Sequence, residues 1–84
     1  MTEEQIKALE RQANNYSYEF FERMKHGYTT DFAQAKFGAL AYAVESLGYE
    51  LVKDGKSETL GVEYIKYKLI ESNKYGEKRN GKNI

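Results

Sequence analysis

Apolar residues recur at steps of three and four over the first third of the chain. Ile6, Leu9, Ala13, Tyr16 and Phe20 fall in line, with Met24 one turn further on, the spacing that draws a continuous stripe down one side of a helix. Thr2 followed three residues later by Gln5 forms a capping box at the start, in which each side chain takes a free backbone N–H of the other. Gly27 supplies the left-handed residue on which helices end. A helix of about six turns is predicted between these signals.

A second helix is predicted from about Thr30 to Leu47. Thr29 or Thr30 serves as its N-cap, Asp31 sits in the first turn where the helix dipole favours negative charge, and Gly48 ends it. Phe32, Ala33, Phe37, Leu40, Ala41, Val44 and Leu47 make one broad apolar face. Ala35, Ala39 and Ala43, spaced by four, make a second strip with almost no side chain. Another backbone, from helix 1 or from a second copy, is expected to approach that strip closely. Only Asp31, Lys36 and Glu45 are charged, so the helix is expected to be covered on most sides.

After Gly48 the period falls to two. Tyr49 to Lys53, then Asp54-Gly55, then Lys56 to Leu60 matches a two-residue hairpin turn, because Asp-Gly accommodates the positive φ angles such a turn demands. Residues 61–71 are ambiguous. Leu60, Val62 and Tyr64 alternate on one face and Ile65, Tyr67 and Leu69 on the other, as in a strand with a one-residue slip or bulge. Read as a helix, the same residues form two opposed apolar faces. Val, Ile and Tyr favour the strand. The predicted class is α+β, an antiparallel helical hairpin followed by a β-hairpin, with an all-α three-helix bundle as the alternative. One small domain is expected over 1–71. From Ser72 to Ile84 only Tyr75 and Ile84 are apolar, which predicts a flexible basic tail carrying Lys74, Lys78, Arg79 and Lys82.

Size and composition narrow the function. A chain of 84 residues hides only roughly 60% of the surface its unfolded form exposes, so its core is thin and association with a second copy is expected. Tyr18 and Phe21 lie outside the main stripe of helix 1; this extra apolar width predicts either an oligomer face or cover by the third element. There is no Cys, hence no disulfide framework and no thiolate chemistry. The first residues are acidic with no apolar run behind them, and no stretch approaches the roughly 20 apolar residues of a membrane span. A cytoplasmic protein without a membrane partner is expected.

Thirteen basic residues balance thirteen acidic ones, which removes the simple electrostatic argument for nucleic-acid binding. With one His and scattered carboxylates, no catalytic residues, no metal and no cofactor are predicted. Two groups of residues remain as candidate surfaces. Arg23, Lys25 and His26 at the end of helix 1 meet Thr29 and Thr30 at the start of helix 2, where free N–H groups and the dipole could hold an anion or a nucleotide. Against this, threonine is an ordinary N-cap, Lys and His are ordinary partners of a helix C-terminus, and Asp31 repels an anion. Tyr64, Tyr67 and Tyr75 interleave with Lys66 and Lys68, the pattern of a surface that stacks bases and neutralises phosphates, or of a partner surface. A helix-turn-helix over 53–70 fails because Asp54-Gly55 falls in what would be its first helix.

The expected function is that of a small, self-associating, non-catalytic protein that binds and blocks another macromolecule, with nucleotide or nucleic-acid binding through Lys and Tyr as the alternative. In size and character the chain resembles the small accessory proteins of phages and mobile elements, including inhibitors of host defence. That resemblance is carried by no motif.

Overall fold

A computed structural model describes residues 1–72, ordered α1 (Glu3–Lys25), α2 (Asp31–Ser46), β1 (Tyr49–Thr59) and β2 (Val62–Glu71). The class is α+β, a helical hairpin followed by an antiparallel β-hairpin. The expected basic tail, with Tyr75, lies outside the described residues.

The capping box forms as its residues dictate. Gln5 N–H donates to the Thr2 hydroxyl at 3.1 Å, and Thr2 N–H donates to the Gln5 side chain at 2.8 Å. At the far end Gly27 takes a φ of 75°, and Tyr28 N–H returns to the Arg23 carbonyl at 2.9 Å. Thr30 is the N-cap of α2, yet its hydroxyl caps no backbone N–H and accepts instead from the Gln34 side chain at 2.8 Å.

The turn of the β-hairpin is not Asp54-Gly55. It is Leu60-Gly61, where φ is 52° and 77°, both positive as a type I′ turn requires. Pairing runs from Thr59 opposite Val62 back to Tyr49 opposite Glu71. Asp54 and Gly55 are the extra residues of a bulge in β1, facing Lys66 alone, and Gly55 uses its positive φ of 82° there. A turn at 54–55 would have left most of 61–71 without a partner strand; the later turn pairs both strands along their length. The slip expected in 61–71 is absent, since β2 alternates regularly. Its apolar residues change face because both faces are covered: Tyr64 meets Tyr18 of α1 edge-on at 5.5 Å, while Tyr67 on the opposite face meets Phe37 of α2 at 4.7 Å.

Beside the turn, Glu58 stands directly opposite Glu63, with Lys56 3.8 Å from the Glu63 carboxylate. Like charges across a ladder are destabilising, so Glu58→Lys is expected to raise stability by about 0.2 to 1 kcal/mol. Thermal unfolding reads this directly. An unchanged melting temperature would mean that Lys56 already neutralises Glu63.

α1 lies antiparallel along the outer edge of β2 and fastens to it with polar side chains. The Ser17 hydroxyl donates to the Ile65 carbonyl at 2.6 Å, Tyr67 N–H donates to Asn14 Oδ1 at 2.7 Å, and Leu69 N–H donates to Glu10 Oε2 at 2.9 Å. Lys25 Nζ donates to the Gly61 carbonyl at 2.7 Å. From Ser17 to Glu10 a helix rises about 10.5 Å, whereas Ile65 to Leu69 spans about 13 Å of strand. Side chains lengthening from Ser to Asn to Glu take up that mismatch. An open strand edge is thereby closed by a helix rather than by another strand.

The core is small. Ala13, Ala33, Val44, Val62 and Leu69 are the buried apolar residues among those described, and Val44 is the bulkiest that is fully buried. The fully buried alanines are Ala13 and Ala33, not those of the alanine strip. Ala35, Ala39 and Ala43 are exposed, because the stripe Ala33, Phe37, Leu40 and Val44 presents larger apolar side chains to α1 and the sheet and so fixes the rotation of α2.

Candidate partner interface

The cations of the α1–α2 turn are directed at carbonyl groups of this chain. Arg23 Nε donates to the Thr29 carbonyl at 2.6 Å and its guanidinium lies 5.4 Å from the Tyr28 ring centre. Lys25 is on Gly61, and His26 Nδ1 is 2.9 Å from the Glu22 carbonyl and 3.6 Å from the Glu22 carboxylate. Thr30 holds Gln34, and the Thr29 hydroxyl accepts from Asp31 N–H at 3.4 Å. Arg23, Lys25, His26, Thr29 and Thr30 thus come together as a self-satisfied turn. Their polar groups close the chain on itself instead of converging on a shared point.

What that end of the molecule leaves open is apolar. The Lys25 to Gly61 bond ties the end of α1 to the hairpin tip, and α2 begins at the same end. Met24, Tyr28, Phe32 and Leu60 are all exposed there, Phe32 at 77% and Leu60 at 89%. Leu60 combines that exposure with a left-handed φ. A β-carbon clashes in that conformation at a cost of roughly 1–2 kcal/mol, which is why Asn, Asp and Gly dominate such turns. Strain of this kind concentrates where function holds a residue in place. Arg23 and Lys25 rim the patch with positive charge.

The Lys and Tyr residues of β2 divide between the two faces of the sheet. Tyr64, Lys66 and Lys68 share one face; Tyr67 sits on the other, against Phe37. The Tyr64 phenol is drawn below its ordinary pKa of 10.0 by the hydroxyls of Thr59 and Ser57, which favour the phenolate, with Lys66 adding to the effect. Tyr18 and Phe21 are likewise used within the chain: Tyr18 on Tyr64, and Phe21 edge-on to Phe20 at 4.9 Å. The third element thus covers Tyr18, whereas Phe21 packs within α1 and borders the groove between the helices and the sheet.

Between α1, α2 and the sheet runs an open groove of about 450 Å³, lined by Tyr16, Phe20, Phe21, Phe37, Ile65 and Tyr67, with Lys53 at its side. Its lining is aromatic and its one buried hydroxyl, Ser17, is already bonded to Ile65. Among the described residues no group of three or more His, Asp or Glu side chains is placed to hold a metal ion, and no helix is long and apolar enough to cross a membrane. No protein family, curated protein or solved structure matches the chain.

Sequence reasoning had marked the turn from Arg23 to Thr30 but missed Met24, Tyr28, Phe32 and Leu60 as its exposed complement. Phe32 and Met24 obey the helical period and so read as core. Leu60 carried a usable signal, since Leu-Gly between two alternating segments is a hairpin turn with the wrong first residue.

Proposed function

We propose that this chain is a non-catalytic interaction protein that binds and occludes the surface of another protein, in the manner of the small accessory proteins of phages and mobile elements. The observation that supports it is Leu60, an exposed leucine held in a left-handed turn at the tip of a hairpin. With Met24, Tyr28 and Phe32 at the same end it forms an apolar anchor, and Arg23 and Lys25 give it a cationic rim. The partner that fits is a protein with an apolar pocket bordered by carboxylates, since buried anchors supply affinity while rim charges supply steering and register.

Leu60→Asn separates the two roles of this residue. Asparagine relieves the left-handed strain, so thermal stability is expected to rise by up to about 1–2 kcal/mol, while the apolar anchor disappears. In affinity capture from cells that encode the protein, the wild-type chain is expected to retain a partner that the more stable Leu60→Asn chain loses. Equal capture by the two chains, or no specific capture by either, overturns the proposal.

A further inference from the structure

β1 has an open edge, and α2 has an open face of the same character. Residues 65, 67 and 69 of β2 turn backbone groups outward to α1. Their cross-strand partners Lys56, Lys53 and Leu51, and Tyr49 beyond them, therefore turn theirs outward on the other side of the sheet. Among the described residues no strand pairs with that edge and no side chain bonds to it. The two edges of one hairpin are thus treated oppositely: four α1 side chains reach β2 and its turn, and none reaches β1. The bulge at Asp54-Gly55, flanked by Lys53 and Lys56, protects the far half of β1 from pairing. Tyr49 to Lys53 has no such protection.

α2 packs on α1 and β1. Its exposed residues include Ala35, Ala39, Tyr42 and Ala43, with Lys36, paired to Glu19, and Glu45 interleaved among them, and Leu47 follows at its end; Tyr42 is 74% and Leu47 60% exposed. Because α2 leads directly into β1, its second half lies at the Tyr49 end, beside the unprotected stretch of edge. Exposed Ala39, Tyr42 and Ala43 therefore lie at the same end of the molecule as the open edge.

We infer that these residues and the edge form a homodimer interface, in which two copies pair β1 with β1 antiparallel about a twofold axis at Leu51 and lay their α2 helices side by side. The register sets Leu51 against Leu51 of the second copy, Tyr49 against Lys53, and Glu50 against Val52, so no like charges stand opposite one another. Tyr49, Leu51 and Lys53 supply the free N–H and C=O groups, and the result is one four-stranded sheet with α2 and its copy on the same face. Strands about 4.8 Å apart bring those helices close, and only short side chains permit helix axes to approach to about 8 Å. Ala39 and Ala43 meet that requirement. The exposed alanines with Tyr42, Leu47 and the edge residues offer on the order of 500–700 Å² per copy, against roughly 600 Å² a side at the low end of specific interfaces. A second copy also remedies the thin core of a chain whose largest fully buried residue is Val44. The dimer surface lies away from the Leu60 tip and does not depend on the proposed partner.

The test uses the purified full chain. Light scattering is expected to give about 19 kDa, twice the chain mass of 9.7 kDa, and the Tyr49, Leu51 and Lys53 amides are expected to be protected from hydrogen exchange. The double variant Ala39→Glu with Ala43→Glu places four carboxylates across the axis at positions exposed in the single chain. It is expected to have half the mass, to lose protection at Tyr49, Leu51 and Lys53, and to keep it at Glu50 and Val52, which face β2. A wild-type monomer, or a dimer whose Leu51 amide exchanges freely, overturns the inference. Leu60→Asn is expected to leave the mass unchanged, so loss of the partner and loss of the dimer are separate results.

Discussion

Replacing Ala13 with leucine is expected to lower the stability of the fold by about 1–3 kcal/mol, the usual cost of forcing extra methylenes into a filled space. For a domain of this length each kcal/mol moves the melting temperature by roughly 4–8 °C. Ala13 has no exposed surface. It lies on α1 between Glu10 and Ser17, both of which bond the backbone of β2, so a larger side chain must push the helix off the strand and lengthen those bonds together. The same substitution at Ala39, exposed on α2, is expected to leave unfolding of the single chain unchanged while interfering with association. Thermal and denaturant unfolding of the two variants, at concentrations below and above that of association, makes the comparison. An Ala13→Leu chain as stable as the wild type would mean that α1 does not seat on β2 as described.

That contrast also shows which parts of the structure were legible in the residues. The period of 3.6, the capping box and the glycines at 27 and 48 located both helices, since each is a local preference that no long-range contact opposes, while the period of two after Gly48 showed strand character but left 61–71 open between strand and helix. The rotation of α2 was not legible. Ala35, Ala39 and Ala43 and the stripe from Ala33 to Val44 both have helical spacing, and only the shape of α1 and the sheet decides which of them turns inward. The hairpin turn was misplaced for a similar reason: Asp54-Gly55 is the better turn locally, but Leu60-Gly61 lets β1 and β2 pair over eleven and ten residues.

The face of α1 that matters most was hidden by its polarity. A hydrophobic stripe drawn through Leu9, Ala13, Tyr16 and Phe20 includes one residue of the buried face, Ala13, and leaves out the other, Ser17. Ser17, Asn14 and Glu10 are at helical spacing on that contact, yet a search for apolar positions skips all three. Their purpose appears only when the β2 edge is laid against them, because what they satisfy is backbone and not side chain. Polar residues repeated on one helix face at 10, 14 and 17 are the signal that was present.

The combined variant Glu10→Ala, Asn14→Ala and Ser17→Ala tests that purpose and is expected to have the largest effect. Each substitution strips a partner from a partly buried backbone group, at about 1–3 kcal/mol apiece. Together they approach the whole 5–15 kcal/mol that holds a small domain folded. The single variants are therefore the quantitative measurement. Asn14→Ala is expected to free the Tyr67 amide for hydrogen exchange while Leu69 stays protected; Glu10→Ala is expected to do the reverse. Asn14→Asp restores an acceptor and is expected to recover the protection at Tyr67. If exchange at Tyr67 and Leu69 stays slow in the alanine variants, burial and not bonding protects the edge. The triple variant also uncovers a β-strand edge along Ile65 to Leu69, rich in residues that favour strands. It is expected to aggregate through that edge, as unprotected edges do, with fibrillar material binding thioflavin while the wild-type chain, its β2 edge covered by α1, does not.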